Sequence, residues 1–275
     1  MSVIVSLSSI PPRFGDIEAT LNTILAQTAK IDEIRLYIPK RYRRFPDYDG
    51  SLPDVPSGVR IMRPEDDLGP ATKVLFAAKE LRGTDARIIF CDDDRLYERN
   101  RFQRILRVHR RRPADCIAPA AFDLPELSGN ADNAPQPRAA AYKKDLGFRI
   151  RRIRRLWRKA VTGEMQPGIP KPRHGRSGYT AFLEGYGGVL VRPDFFDDAA
   201  FDIPPVMWAV DDIWLSGHLE RRGIRIWTPS HFLIPALTSN HDNAPLYLAH
   251  IDNTGRDDAN LACFQYMQKT YGIWR

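Results

Sequence analysis

Three consecutive aspartates are the residues of this sequence with the clearest potential for chemistry. Asp92, Asp93 and Asp94 directly follow the apolar run 86–91. Adjacent carboxylates repel one another unless a cation or several hydrogen-bond donors lie between them, and hard divalent ions prefer oxygen ligands. Asp92 and Asp94, at alternate positions, can therefore hold Mn²⁺ or Mg²⁺. A solvated acidic turn or a helix N-cap is the alternative, and the place after a buried strand favours the metal.

A lysine and an arginine are candidates for anion binding. Gly69 and Pro70 fit a tight turn before a helix that carries Lys73, whose ammonium can meet a phosphate or a sugar hydroxyl. A metal ion at the aspartates can bridge the phosphates of the same ligand. Lys73 can equally be a plain surface lysine, and Arg13, which follows two prolines, fits a surface position as well as a ligand contact.

Two other polar groups lie further along the chain. Asp211 and Asp212 stand where a helix is predicted to begin, a position at which one carboxylate is usually a cap or a partner of the helix dipole. The polar cluster 239–243 contains His241, which fits either a structural histidine or a metal ligand.

The elements that must position these residues alternate between strand and helix. Apolar runs at 3–7, 34–38, 58–62, 86–91 and 115–118 predict strands, and helical spacing precedes or follows several of them. The run 86–91 has the pattern of a strand buried on both faces of a parallel sheet. We therefore predict an α/β fold with a doubly wound, mostly parallel sheet, helices on both faces, and ligands beyond the carboxyl ends of the strands.

The middle of the chain has a different pattern. Residues 124–137 and 166–178 are rich in loop-forming residues, and between them 145–161 predict a basic amphipathic helix in which Ile150, Ile153 and Trp157 share one face. Thirteen Lys and Arg stand against two acidic residues between Arg138 and Arg176. This helix can lie on an anionic membrane, grip an acidic polysaccharide, bind a partner protein, or pack its apolar stripe on the main domain.

Composition limits the remaining possibilities. The 275 residues carry a formal net charge of +7, which favours acidic partners without choosing among them. Three widely spaced cysteines indicate neither a disulfide scaffold nor a zinc site. No apolar stretch approaches the roughly 20 residues of a membrane span. We expect a cytoplasmic protein, with any membrane contact at the inner face and peripheral.

Three segments occur in an order that resembles a bacterial GT-A glycosyltransferase of the family 2-like type with a D-x-D motif. They are 5–13, 67–73 and 92–94, and the resemblance extends more loosely to 185–219. It implies one GT-A-like catalytic domain over 1–275, with a nucleotide-sugar-binding half at 1–120, a basic insertion at 124–180 and an acceptor-side half at 181–275.

The same resemblance implies roles for individual residues. Asp92, Asp94 and His241 would be the metal ligands, and Asp212, supported by Asp211, would take the proton from the attacking hydroxyl. The residues implied to hold the donor are Ser6, Ser8, Arg13, Asp67, Gly69, Lys73, Asp92 and Asp93.

The implied activity is metal-dependent transfer of a sugar from a nucleotide-diphosphate-sugar, with a UDP-sugar favoured, to a saccharide or glycolipid hydroxyl in surface glycan synthesis. A single displacement would invert the anomeric carbon. The acidic pair departs from the commoner Glu-Asp pair of that family, so the stereochemistry stays open.

Two rival functions use other features. A protein that binds nucleic acid or an anionic surface would use the arginines of 145–161, but it leaves both acidic groups unexplained, and we expect no nucleic acid partner. A sugar-nucleotide nucleotidyltransferase would share the sheet and the metal, but it requires a Gly-rich, basic signature after the first strand, where this chain has serines and only Arg13.

Overall fold

The structure is a computed structural model, and it describes residues 1–123, 135–143, 146–162, 171–239, 243–244 and 255–274. The strands in these ranges are β1 (Val3–Ser8), β2 (Glu33–Tyr37), β3 (Val59–Met62), β4 (Arg87–Phe90), β5 (Arg95–Leu96), β6 (Cys116–Ile117), β7 (Ala121–Phe122), β8 (Ala140–Ala141), β9 (His174–Arg176), β10 (Gly178–Thr180), β11 (Phe182–Leu183), β12 (Val189–Val191), β13 (Ile226–Thr228) and β14 (Ala236–Leu237). The helices are α1 (Glu18–Leu25), α2 (Thr72–Glu80), α3 (Arg101–Arg111), α4 (Leu146–Thr162), α5 (Asp211–Arg221) and α6 (Arg256–Tyr271).

Eight of these strands form one large sheet in the order β10, β13, β6, β12, β4, β1, β2, β3. Four of its seven pairings are parallel: β3 with β2, β2 with β1, β1 with β4, and β13 with β6. The strands β1 and β4 are mostly apolar, and all but one residue of each is buried, as expected for strands covered on both faces.

Helices cover both faces of the sheet, which confirms the predicted fold class. On one face α1 and α3 pack on β1 and β4 through Leu21, Ile24, Phe102 and Ile105. On the other face α2 and α5 pack through Val74, Leu75, Leu215 and Leu219. Alternate residues of β4 enter the two cores, Ile89 on the α1 side and Phe90 on the α2 side.

A third apolar cluster joins α5 to α6 and the last described residues. Trp274 stacks parallel on Phe264 with ring centroids 5.3 Å apart, and it also contacts Phe182 at 4.9 Å. Trp214 of α5 is fully buried in the same cluster. The helix that begins with Asp211 and Asp212 is therefore held between the sheet and the C-terminal segment.

The predicted basic helix is present as α4. It lies between β8 and β9, which pair antiparallel at the base of the inserted segment. In the part of the chain that the structure describes, no helix is both long and apolar enough to cross a membrane.

Candidate functional site

A cleft of about 490 Å³ opens at the carboxyl ends of β1 and β4. Parallel strands present their carboxyl ends at one edge of the sheet, so loops that are distant in sequence meet there. The charged residues of its wall are Arg13, Arg44, Asp67, Lys73, Asp92, Asp93, Asp94, Arg95, Asp211 and Asp212.

One buried ammonium group joins the two acidic groups of the sequence. Lys73 Nζ lies 2.6 Å from Asp92 Oδ1 and 2.8 Å from Asp211 Oδ2. Burial alone would lower the pKa of Lys73, but the charges of Asp211 and Asp92 outweigh it and raise that pKa well above its usual value. The lysine is therefore a fixed positive charge, and it links the end of β4 to the start of α5.

Gly69 and Gly185 lack side chains at two crowded positions, one in the turn before α2 and one beside the Lys73 ammonium. Gly69 has a φ of +61°, and a Cβ there would come within 2.5 Å of the Trp208 carbonyl oxygen. A Cβ on Gly185 would come within 2.4 Å of Lys73 Nζ. Asp67 fixes the same turn, because its carboxylate accepts hydrogen bonds from the backbone N–H groups of Gly69 and Arg43, both at 2.9 Å.

Asp93 turns away from Lys73 and anchors the loop after β1. Ser9 Oγ donates a 2.5 Å hydrogen bond to one carboxylate oxygen, and Arg13 donates a 2.6 Å hydrogen bond to the other. Burial raises the pKa of Asp93, although Arg13 opposes the shift. With both oxygens committed to the protein, Asp93 holds Arg13 in the wall of the cleft.

Asp94 is the least satisfied of the three aspartates. Burial, followed by the charges of Asp92 and Asp93, raises the pKa of Asp94 to about 6. The guanidinium groups of Arg13 and Arg95 each lie 3.3 Å from it, yet Oδ1 is buried and lacks a hydrogen-bond partner within the described residues. A further cation beside Asp94 would relieve this cost.

Asp92 and Asp94 are the described residues that would hold a metal ion, which would need further ligands from a bound phosphate. Asp92 and Asp94 offer two carboxylates, and Mg²⁺ is commonly bound by one or two carboxylates together with phosphate oxygens. No cluster of three or more His, Cys, Asp or Glu side chains suited to a metal occurs among the residues that the structure describes. His241, the third expected ligand, lies outside those residues.

Asp212 is a carboxylate with raised basicity. Its Oδ1 accepts a 3.0 Å hydrogen bond from the Gly185 N–H. Burial, and then the neighbouring charge of Asp211, raises the pKa of Asp212 to about 8, while Lys73 partly opposes the shift. A carboxylate of this basicity that faces a cleft can take a proton from a hydroxyl group.

Another part of the cleft wall is aromatic and basic, and the sequence analysis did not single out its residues 42–45. Tyr42 and Phe45 line it, with Arg44 beside them and Trp208 near the turn at Gly69. Tyr42 Oη donates to the Ser9 carbonyl at 2.7 Å and so fixes the loop after β1. The signal was the run 41–45, in which arginines alternate with aromatic residues.

The structure places the two expected serines differently. Ser8 lies in the cleft wall. Ser6 is fully buried behind the wall, where its hydroxyl donates a 2.6 Å hydrogen bond to the Lys73 carbonyl oxygen. Ser6 therefore supports the start of α2 and does not line the cleft, and its expected contact with the nucleotide stays a prediction.

No family model matches the chain, and no curated protein matches it. Among solved structures it is similar to residues 1–349 of S. aureus TarS, at 15% identity and a TM-score of 0.46, covering 98% of this chain and 72% of that one. A longer TarS chain matches at 14% identity and a TM-score of 0.45, and only 44% of its length is covered.

Francisella tularensis 2-C-methyl-D-erythritol 4-phosphate cytidylyltransferase (IspD) is similar at 13% identity and a TM-score of 0.43, covering 96% of this chain and 98% of that one. The α/β class rests on the sheet and the helices themselves.

Proposed function

We propose that this chain is a GT-A-type glycosyltransferase that moves a sugar from a nucleotide-diphosphate-sugar to a hydroxyl acceptor. The observation that carries the proposal is the Asp92–Lys73–Asp211 ion group, which links the three aspartates after β4 to the start of α5, where Asp212 is a carboxylate with a raised pKa, in one cleft. Lys73 would thus hold the donor-binding aspartates and the proposed base in adjacent positions.

The donor half would bind the diphosphate by positive charge. Arg13, Arg44 and Arg95 line the cleft, and Arg13 and Arg95 each lie 3.3 Å from Asp94. A divalent ion held by Asp92 and Asp94 would supply further positive charge to the departing diphosphate. The aromatic rings of Tyr42 and Phe45 in the cleft wall would pack against the nucleobase of the donor. A UDP-sugar is the donor that we would test first.

The acceptor half would supply the base. Asp212 takes the proton of the acceptor hydroxyl, the hydroxyl oxygen bonds to the anomeric carbon, and the bond from that carbon to the phosphate oxygen breaks. The nucleoside diphosphate leaves with the electron pair, and this single displacement inverts the anomeric carbon. Asp211, paired with Lys73, positions the start of α5 for this step.

Calorimetric titration with UDP, GDP and CMP, each with and without Mn²⁺, tests the donor half. We expect one nucleotide diphosphate to bind in a metal-dependent way, and we expect Asp94→Asn to weaken it at least about tenfold, because one of the two carboxylate ligands is lost. Asp198→Asn is the matched control, since Asp198 is exposed outside the cleft. Absence of binding under every condition would refute the proposal.

A second measurement separates sugar transfer from nucleotidyl transfer. Release of UDP from a UDP-sugar, abolished in Asp212→Asn with nucleotide binding retained, supports the glycosyltransferase. Release of pyrophosphate from a nucleoside triphosphate and a sugar phosphate would instead assign a nucleotidyltransferase to the same cleft.

A further inference from the structure

Helix α4 leaves its apolar residues exposed. Ile153, Trp157 and Val161 are 65%, 69% and 64% exposed. Their spacing of four residues, continued toward the N-terminus by Ile150, places them on one face of the helix. Packing of this stripe on the main domain, one of the four possibilities from the sequence, is therefore not what the structure shows.

Trp157 differs from every other tryptophan of the chain. Trp208, Trp214, Trp227 and Trp274 are each at most 8% exposed. A large aromatic side chain left in water is costly for a folded protein, since its transfer to an apolar environment is favourable. Its exposure next to two exposed β-branched residues indicates a surface that another phase or molecule covers.

The polar side of α4 is uniformly basic. The sequence 146–162 contains seven Lys and Arg and no acidic residue. The whole chain has 41 Lys and Arg and 34 Asp and Glu, so the charge of this one helix equals the net charge of the protein. Arg152 and Arg154 are exposed, and their charge is available to an external partner.

We propose that α4 docks the protein on the surface of an anionic lipid bilayer. Such a surface can contact both faces of the helix. The apolar stripe would enter the boundary of head groups and acyl chains, and the arginines would reach lipid phosphates. Tryptophan is enriched at this depth of a membrane. The proposal is independent of the activity assigned to the cleft.

Other partners satisfy only one of the two faces. A nucleic acid or an acidic polysaccharide pairs with the arginines and leaves Ile153 and Trp157 in water. A second copy of this chain can cover the apolar stripe, but it brings two helices of charge +7 against one another. The combination of exposed apolar area and unopposed positive charge therefore favours the lipid surface.

Vesicle flotation of the full chain tests the proposal. We expect binding to vesicles of phosphatidylcholine with one third phosphatidylglycerol, and binding at least about tenfold weaker to phosphatidylcholine alone, because each basic residue near an anionic surface contributes roughly fivefold. Trp157 emission should shift to the blue on binding and be quenched by brominated lipid, and Trp157→Phe should remove that signal while binding remains.

Two double variants test the two faces separately. Arg152→Glu with Arg154→Glu should reduce binding to anionic vesicles at least about tenfold. Arg110→Glu with Arg111→Glu is the matched control, since it reverses the same charge at exposed positions of α3 and should change binding less than threefold. Ile153→Asp with Trp157→Asp should also abolish binding, and nucleotide binding by this variant verifies that the cleft is folded.

Several results would overturn the proposal. Equal losses in the α4 and α3 charge variants would indicate attraction without a docking helix. Unchanged vesicle binding in the stripe variant would assign the helix to polyanions in general. A dimer in solution that the stripe variant dissociates, with vesicle binding absent, would assign the surface to a second copy of the chain.

Discussion

The electrostatics of the cleft depend on its excess of carboxylates over cationic side chains. Lys73 is shared by Asp92 and Asp211, and Arg13 is shared by Asp93 and Asp94. Six aspartates line the cleft against four cations, and the raised pKa values of Asp94 and Asp212, about 6 and about 8, follow from burial and from the neighbouring carboxylates. The site carries unfavourable electrostatic energy that a cationic ligand or a proton would remove.

Asp212→Asn tests this balance at the residue scale. The folded pKa of about 8 is above the unfolded value of 3.8, so the folded state holds a proton that the unfolded state releases between these pH values. Wild-type stability therefore falls as pH rises from 4 to 8 relative to the variant, and we expect the variant to be about 1–2 kcal/mol more stable at pH 8.

Urea unfolding in EDTA at pH 4.5 and pH 8 measures the effect. The stabilisation should be small at pH 4.5 and present at pH 8, while sugar transfer is lost at both. The neutral asparagine can still accept the hydrogen bond from the Gly185 N–H, so the local structure is retained. A stability difference that is the same at both pH values would contradict the assigned cause.

Residue types and spacing indicated the charged part of the candidate site, but not the direction of each side chain. Asp92, Lys73 and Asp211 were singled out separately, and the structure brings them into contact. Ser6 and Ser8 stand two positions apart in β1, and only Ser8 reaches the cleft, because the wall begins where the strand ends. Their roles toward a ligand remain predictions.

The site also depends on how closely the segment before β12 approaches α2. Gly185 and Gly187 both belong to that segment, but a Cβ added to each would meet different neighbours. A Cβ on Gly185 meets the end of the flexible Lys73 side chain, whereas a Cβ on Gly187 comes within 2.8 Å of the Ala120 backbone nitrogen. Only the first obstacle can move away at low cost.

Gly185→Ala and Gly187→Ala therefore form a matched pair at the element scale. We expect Gly185→Ala to fold and to lose about 1–2 kcal/mol, because Lys73 is displaced from Asp92 but keeps Asp211, and to lose at least tenfold in nucleotide binding. Gly187→Ala should lose about 2 kcal/mol or more through overpacking. Thermal unfolding and calorimetry check both, and the reverse pattern would contradict this description of the cleft.

Strand and helix positions in the first half followed from apolar periodicity, but strand direction did not. The apolar run that became β12 was visible in the sequence, yet it runs antiparallel to β4 and β6. Direction depends on the path of the chain through distant segments, and no local pattern records it. The two-residue strand β7, unlike β6, was not predicted from an apolar run, and it forms by pairing with β11.

At the scale of the whole molecule, the C-terminal segment supports the site through α5. Trp274 packs on Phe264 and Phe182, and this cluster continues to Trp214 of the helix that begins with Asp211. A cavity here should loosen the position of α5 as well as lower the stability.

Trp274→Ala should cost about 3 kcal/mol or more of unfolding free energy. Trp157→Ala is the control, because Trp157 is exposed, and we expect it to change stability by less than about 0.5 kcal/mol. Urea unfolding compares the two variants. Similar losses in both would show that the aromatic cluster contributes nothing specific to the fold.

The family resemblance covered the donor half of the chain, whereas the apolar cluster around Trp274 was not predicted. Its members come from β11, α5, α6 and residue 274, so the cluster forms only after distant segments meet. The amphipathic pattern of α4 was clear in the sequence, but whether its apolar face was buried depended on tertiary packing.

The shared ammonium of Lys73 also constrains how such a chain can diverge. A neutral residue in place of Lys73 removes the nearest counter-charge of both Asp92 and Asp211, and a neutral residue in place of Asp211 removes one of the two carboxylates that the lysine contacts. Selection should therefore accept changes at these three positions together more readily than one at a time. In related proteins, the residues at positions 73, 92 and 211 should covary. A lineage in which one of them is replaced should soon replace the other two.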